Sequence, residues 1–174
     1  MGIIYWDANI WITHFTGTKH STFDSSGIEE VIRLADENKV KIITSVITRV
    51  EILGGKWSDT NINLYLETLE ENPSLEEIEV HRDIAQKAHE IRTFYRKQGN
   101  NLTTPDVIHL ATAIWANADA FHTLDGSGNK KKLLSISGED GVDNLKIEVP
   151  RAEQAVFDPE KVKIAKPEEE QQKK

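Results

Sequence analysis

Apolar residues fall along this chain in two rhythms. Short unbroken runs at Ile3 to Trp6 and Val40 to Thr44 carry β-branched and aromatic side chains and predict buried strands. Elsewhere the apolar positions recur every three or four residues, as on one face of a helix. Ile84, Ala88, Ile91 and Tyr95 predict the longest helix, over 82–98, with Gly99 placed to end it. Ile28, Ile32 and Ala35 predict another, opened by a capping-box spacing at Ser26-Gly27-Ile28-Glu29 and fading near Asn38. A short helix is expected around Ile10-Trp11-Ile12, and another after Ser45 with Val46, Ile47, Val50 and Leu53 facing inward, stopped by Gly54-Gly55. Leu64, Tyr65 and Leu69 predict a helix over 60–70. Thr104-Pro105-Asp106 reads as a helix start with Thr104 as cap, and Val107, Ala111 and Ile114 follow on one face. Leu75 to Val80 alternates like an edge strand, Ala120 to Leu124 reads as a short strand, and Leu133 to Ile136 and Leu145 to Val149 are weaker strands.

Strands alternating with helices predict an α/β fold: a three-layer α/β/α sandwich around a central, mainly parallel sheet. Such sheets bind ligands beyond the carboxyl ends of their strands. Four acids are expected at that edge. Asp7 ends the first strand, Glu51 lies in the helix after the second, Asp106 opens its helix, and Asp125 follows the later strand. Close carboxylates repel, and burying one unpaired costs several kcal/mol. A divalent cation removes the conflict, and Mg²⁺ or Mn²⁺ prefers such oxygen ligands.

Charge sharpens this picture. The 174 residues carry 21 Lys+Arg against 29 Asp+Glu, a formal charge of -8. Residues 151–174 contain six basic and six acidic residues, so the excess lies in the first 150. An acidic domain binds nucleic acid poorly unless cations offset its carboxylates. There are no cysteines, which excludes disulfides, thiol nucleophiles and cysteine zinc sites. The histidines form no His-Glu-x-x-His pair. No apolar run reaches the roughly 18 residues of a membrane span, and the N-terminus meets an acid too early for a leader, so a cytoplasmic protein without membrane contact is expected.

Each acid also has a plainer reading. Asp7 could only cap the following helix, Glu51 could be a solvated helix residue, Asp106 could answer the helix dipole, and Asp125 could be a turn residue. Asn9, Thr44, Ser45 and Thr123 either orient the carboxylates or touch substrate, or are simple caps and turn residues. His109 could border the site, with core packing the simpler reading. Lys130-Lys131-Lys132 and the group Arg92, Arg96 and Lys97 are either phosphate contacts or solvated polar faces.

Four segments together resemble the PIN-domain family, in particular the VapC-type ribonucleases of toxin–antitoxin pairs. They are Ile4-Tyr5-Trp6-Asp7-Ala8-Asn9-Ile10-Trp11-Ile12, Thr44-Ser45-Val46-Ile47-Thr48-Arg49-Val50-Glu51-Ile52, Leu102-Thr103-Thr104-Pro105-Asp106-Val107-Ile108-His109-Leu110-Ala111-Thr112-Ala113, and Ala118-Asp119-Ala120-Phe121-His122-Thr123-Leu124-Asp125. Their order and spacing cover the chain from Ile3 to about Val149. The family often has Thr-Asn-Asp with a Phe a few residues on, where this chain has Thr123-Leu124-Asp125 and then Gly126-Ser127-Gly128, so the fourth acid's setting departs from the pattern.

The resemblance implies a metal-dependent endoribonuclease that hydrolyses RNA phosphodiesters with metal-activated water, Asp7, Glu51, Asp106 and Asp125 serving as metal-binding and catalytic residues. It implies Mg²⁺ or Mn²⁺ as cofactor, an RNA substrate, an antitoxin partner and a homodimer, with Trp11 and the 60–70 helix as dimer surface. The domain is expected over 1–150, with 151–174 a polar, partly disordered tail. Two alternatives stay open: a catalytically silent PIN-like module that binds RNA or protein, and a metal-dependent phosphatase.

Overall fold

The structure is a computed structural model that describes residues 1–18, 25–53, 57–126 and 133–152. Its strands are β1 (Gly2–Trp6), β2 (Val40–Ser45), β3 (Leu75–Ile78), β4 (Ala120–His122) and β5 (Ile147–Glu148). They form one sheet in the order β3-β2-β1-β4-β5, and every pairing is parallel. The helices are α1 (Ala8–Thr16), α2 (Ser26–Asp36), α3 (Ile47–Leu53), α4 (Asp59–Glu71), α5 (Arg82–Lys97) and α6 (Thr104–Trp115).

The central strand shows why the sequence folds this way. Side chains alternate along β1, so Ile3 and Tyr5 join one apolar cluster while Ile4 and Trp6 join the other. A strand covered on both faces can be apolar throughout, which is the pattern of parallel sheets. The first cluster takes in α5 and α6; the second takes in α1, α2 and α4 and is rich in aromatic rings. The three-layer α/β/α arrangement follows. The α5 stripe is buried as its spacing predicts, with Ile84, Ala88, Ile91 and Tyr95 all in the core. Each fully buried Ile there contributes about 1.5–3 kcal/mol.

Several expectations shift. The short helix expected after Asp7 runs for nine residues. Ser25, not Ser26, precedes α2, and it makes no side-chain cap bond. Thr103 caps α6, so Thr104 and Pro105 are its first two residues. On α3 the inward residues are Thr48 and Ile52, while Val50 is 69% exposed. On α4 Tyr65 is buried but Leu64 turns outward. Both misreadings have one cause: in helices of only seven and thirteen residues, two apolar stripes fit about equally well. Leu133–Ile136, expected as a strand, is a 3-10 turn that buries Leu133 and Ile136 at its three-residue repeat. Trp11 is fully buried against Trp6 and Tyr65, so it supplies no dimer surface.

The segment after β5 returns across α2. A Cβ on Gly27 would lie 2.3 Å from the carbonyl oxygen of Pro150, so only glycine permits this approach. The Gly54-Gly55 stop, the Lys130–Lys132 turn and the tail from 153 onward lie outside the described residues.

Candidate active site

Strand order reverses between β1 and β4, because the chain builds outward from β1 in one direction and then the other. Open α/β sheets bind ligands at such a switch point, beyond the strand carboxyl ends. A cleft of about 800 Å³ lies there, lined by Asp7, Asn9, Thr13, Val50, Glu51, Asp106, Leu124 and Asp125 among others. The structure thus brings all four expected acids to one opening.

Asp7 is the most enclosed of them, at 7% exposure. It caps α1 by accepting from the Ala8 backbone N–H at 2.8 Å. Its other oxygen accepts from Asn9 Nδ2 and from Thr123 Oγ1, both at 2.7 Å. Burial is the main influence on its acidity and raises its pKa; Glu51's charge adds to this, while His109, Thr123 and the Ala8 amide oppose it. Asn9 and Thr123 are themselves tied together. Asn9 donates to Thr123 at 3.0 Å and accepts from the Leu124 backbone N–H at 2.9 Å. The Thr123 hydroxyl also accepts from the Asp125 backbone N–H at 2.9 Å. One hydroxyl therefore sets both the first and the last acid.

Glu51 is held by a residue that sequence reasoning left to the core. His109 Nε2 lies 2.6 Å from Glu51 Oε2 and 3.7 Å from Asp7 Oδ1. A carboxylate only accepts, so Nε2 carries the hydrogen and donates to Glu51. On the far side His109 Nδ1 lies 2.6 Å from the Tyr5 hydroxyl. His109 is 1% exposed. Burial disfavours its imidazolium more than any other single influence, but Glu51, Asp7 and Asp106 together outweigh burial, and the net shift of its pKa is upward. Thr13, which lines the cleft, was also not singled out by its sequence pattern; its hydroxyl donates to the Asn9 backbone carbonyl at 2.8 Å.

Asp106 is fixed locally. Its carboxylate accepts from the Thr103 backbone N–H at 2.8 Å, and its own N–H donates to Thr103 Oγ1 at 3.3 Å. This reciprocal capping box uses an acid as its closing residue. Thr44 and Ser45 are fully buried and lie behind the cleft. The Thr44 hydroxyl bonds the Trp6 carbonyl and the Thr48 hydroxyl, locking β2 and α3 to the end of β1. Ser45 Oγ accepts from the Ile47 N–H at 3.4 Å. Neither residue is bonded to a cleft acid.

Among the described residues, no three acid or histidine side chains are gathered closely enough to hold one ion together. Asp7, Glu51 and Asp106 each have a protein partner instead. The donor set still fits a hard dication that keeps most of its waters, because such an ion needs one or two direct carboxylates and room for solvent. Asp7 favours that fit: it is buried beside a second acid, and an added positive charge offsets both effects.

Three solved structures share this architecture. VapBC2 from Rickettsia felis, bound to a DNA fragment from its promoter, matches with a TM-score of 0.61 and 18% identity, covering 84% of this chain and 98% of that one. VapBC-1 from nontypeable Haemophilus influenzae matches at 0.56 and 15%, covering 84% and 97%. The sarcin-ricin-loop-cleaving toxin VapC20 of Mycobacterium tuberculosis matches at 0.52 and 14%, covering 71% and 91%. No curated protein sequence matches the chain. No helix among the described residues is long and apolar enough to cross a membrane. The PIN domain model matches residues 4–130, which include all four cleft acids and both locking residues of Asp7, and on that match the chain belongs to the PIN domain family.

Proposed function

We propose that this protein is an endoribonuclease of the VapC kind that uses Mg²⁺ or Mn²⁺ to hydrolyse RNA. The carrying observation is the meeting of Asp7, Glu51, Asp106 and Asp125 at one open cleft on the sheet's switch point. Asp7 and Glu51 would hold the metal most directly, with Asp106 and Asp125 across the opening. When bound, the ion supplies positive charge against the carboxylates and the substrate phosphate, and it activates water for in-line attack.

The chain's own residues do the rest. Asn9 and Thr123 aim Asp7 and keep it from rotating; the Tyr5–His109 pair does the same for Glu51. The Thr103 box presents Asp106 at the N-terminal end of α6, where the helix dipole favours its negative charge. Ile12 and Val50 give the cleft an apolar rim. We assign the nuclease domain to 1–150, with activity in the cytoplasm. The VapBC neighbours are toxin–antitoxin assemblies, which supports an antitoxin that covers the cleft. A homodimer would use the outward Leu64 on α4 rather than Trp11.

One observation favours a second reading, a catalytically silent RNA-binding module: Asp7, Glu51 and Asp106 each already have a hydrogen-bond partner within the protein. Incubation of the purified chain with total RNA, with and without Mg²⁺ or Mn²⁺, separates the two. The nuclease reading expects metal-dependent cuts leaving 5′-phosphate and 3′-hydroxyl ends. Intact RNA under every metal condition would leave only the binding module, and release of phosphate from p-nitrophenyl phosphate without RNA cuts would make the protein a phosphatase.

A further inference from the structure

Most lysines and arginines of the described chain are matched. Arg33, Lys39, Lys41, Arg49, Lys87 and Lys146 each sit against a carboxylate. Among the described residues, Arg82, Arg92, Arg96, Lys97 and Arg151 do not, and of these Arg92 and Arg96 line a cleft. Both are exposed, and no carboxylate among the described residues pairs with either. They stand on α5 with His89 and Thr93 at helical spacings of three and four, so the four share one face. That face forms one wall of a second cleft of about 530 Å³; Asn100, Asn101 and Leu102 form the other. The α5 dipole accounts for Arg96 and Lys97 in the last turn, but not for Arg92 one turn earlier.

The position of this cleft matters as much as its charge. His81 at the start of α5 meets Trp115 at the end of α6, with ring centroids 4.6 Å apart. The two helices are therefore antiparallel, and the Arg96 end of α5 lies beside the Asp106 end of α6. Leu102 lines the basic cleft and Asp106 the acidic one. Four Cα steps separate them, at most about 15 Å. That is about four stacked nucleotides of one strand at roughly 3.4 Å each.

We propose that the cleft of Arg92, Thr93, Arg96, Asn100 and Asn101 is a phosphate subsite that holds the RNA backbone a few nucleotides from the bond to be cut. The proposal rests on the RNA-cleaving reading above and adds to it where the substrate lies. Guanidinium forks match phosphate oxygens in pairs, and the threonine hydroxyl and asparagine amides supply further donors. Backbone contacts of this kind position a strand without reading its sequence. They also explain how a domain of net negative charge gains a local hold on a polyanion.

The test uses the full chain and a fluorescein-labelled 12-nucleotide oligouridine, with binding read by anisotropy in EDTA across a salt series and cleavage read with Mn²⁺. The Arg92→Gln/Arg96→Gln variant is compared with Arg82→Gln/Lys97→Gln, which removes equal charge from the same helix outside the cleft. The cleft variant should bind roughly tenfold more weakly, and its salt slope should fall by about 1.4, or 0.7 for each phosphate lost. Its KM should rise with kcat little changed, while the control pair stays near wild type. Equal losses in both variants, or none in the cleft variant, overturn the subsite and leave the nuclease reading standing. Loss of binding in the cleft variant alone, with no cleavage by any form, keeps the subsite and overturns the nuclease. A wild-type chain that neither binds nor cuts the RNA overturns both.

Discussion

The two sides of the acidic cleft are held by different means. Asp7 is locked from a distance: Thr123, its main partner, lies 116 residues away in sequence, just past the end of β4. Asp106 is locked by its own helix start, through a residue three positions earlier. Asp7 is enclosed and pays for its burial in raised pKa, whereas Asp106 sits half-open at a helix end. The non-local lock ties the acid's geometry to the integrity of the sheet. The local lock ties it only to the first turn of α6. Damage should therefore reach the Asp7 side through activity and stability together, and the Asp106 side more gently.

The strongest test of that contrast is Asp7→Asn. If Asp7 holds the metal as proposed, RNA cleavage should fall by at least about a hundredfold, because loss of a direct ligand exceeds the 10–100-fold typical of losing a ligand's supporting partner. Stability should move by no more than about 1.5 kcal/mol. The asparagine loses the bond from Asn9, since two amide groups then face each other, but it also removes a buried charge beside Glu51. Thermal melts and timed cleavage assays would check both, and wild-type rates would take Asp7 out of the site. Thr123→Val comes next. It removes the hydroxyl that bonds Asp7, Asn9 and the Asp125 N–H, so cleavage should drop about 10–100-fold and stability by about 1–3 kcal/mol. A variant that melts lower yet cuts at full speed would reduce Thr123 to a packing residue.

Acid should weaken the β4 side through His122, the residue before Thr123. Burial, with Lys146 adding to it, pushes its pKa down from 6.5 to about 3. Glu148 lies 4.0 Å away, but its carboxylate is already engaged by Lys146 at 2.7 Å. The unfolded chain takes up a proton near pH 6.5 that the folded one refuses. Its contribution is thus complete above pH 6.5 and is lost as pH falls toward about 3, at roughly 1.4 kcal/mol per unit. His109 has the opposite sign: with its pKa raised, its stabilisation is full at low pH and is lost as pH rises through the folded value. His122→Phe isolates the first effect, and denaturant melts at pH 7 and pH 5 should differ less for the variant than for wild type. The smallest change is expected at Thr103→Ala. Loss of the cap should cost about 1 kcal/mol, with cleavage reduced only a few-fold because the Thr103 backbone N–H still holds Asp106. A collapse of activity there would erase the distinction between the two locks.

The same contrast governs what could be read from sequence. Asp7, Asp106 and Asp125 were legible because each has a local signal, a strand end or the Thr-Pro-Asp helix start, whereas Glu51, inside α3, was legible only from the order of the four segments together. The α5 stripe was legible because sixteen residues hold one phase. Val50 and Leu64 were misread because short helices leave the phase undetermined, and only packing decides it. His109 was passed over because its partners, Tyr5 and Glu51, lie 104 and 58 residues away. Nothing in the local pattern separates a histidine packed in a helix face from one that braces a distant carboxylate.

The chain's first strand is also the sheet's central one, and one edge of it waits for β4. At about 5–20 residues per second, a ribosome needs roughly 6–23 s to travel from Asp7 to Thr123. Through that interval the nascent chain holds Asp7 and gains Glu51 and then Asp106, yet no Thr123 hydroxyl aims Asp7 and β1 lies unpaired along one side. Pairings of such long range are also slow to form. A chain released early carries most of the acidic residues without their alignment, so premature termination should yield inert fragments rather than partly active ones.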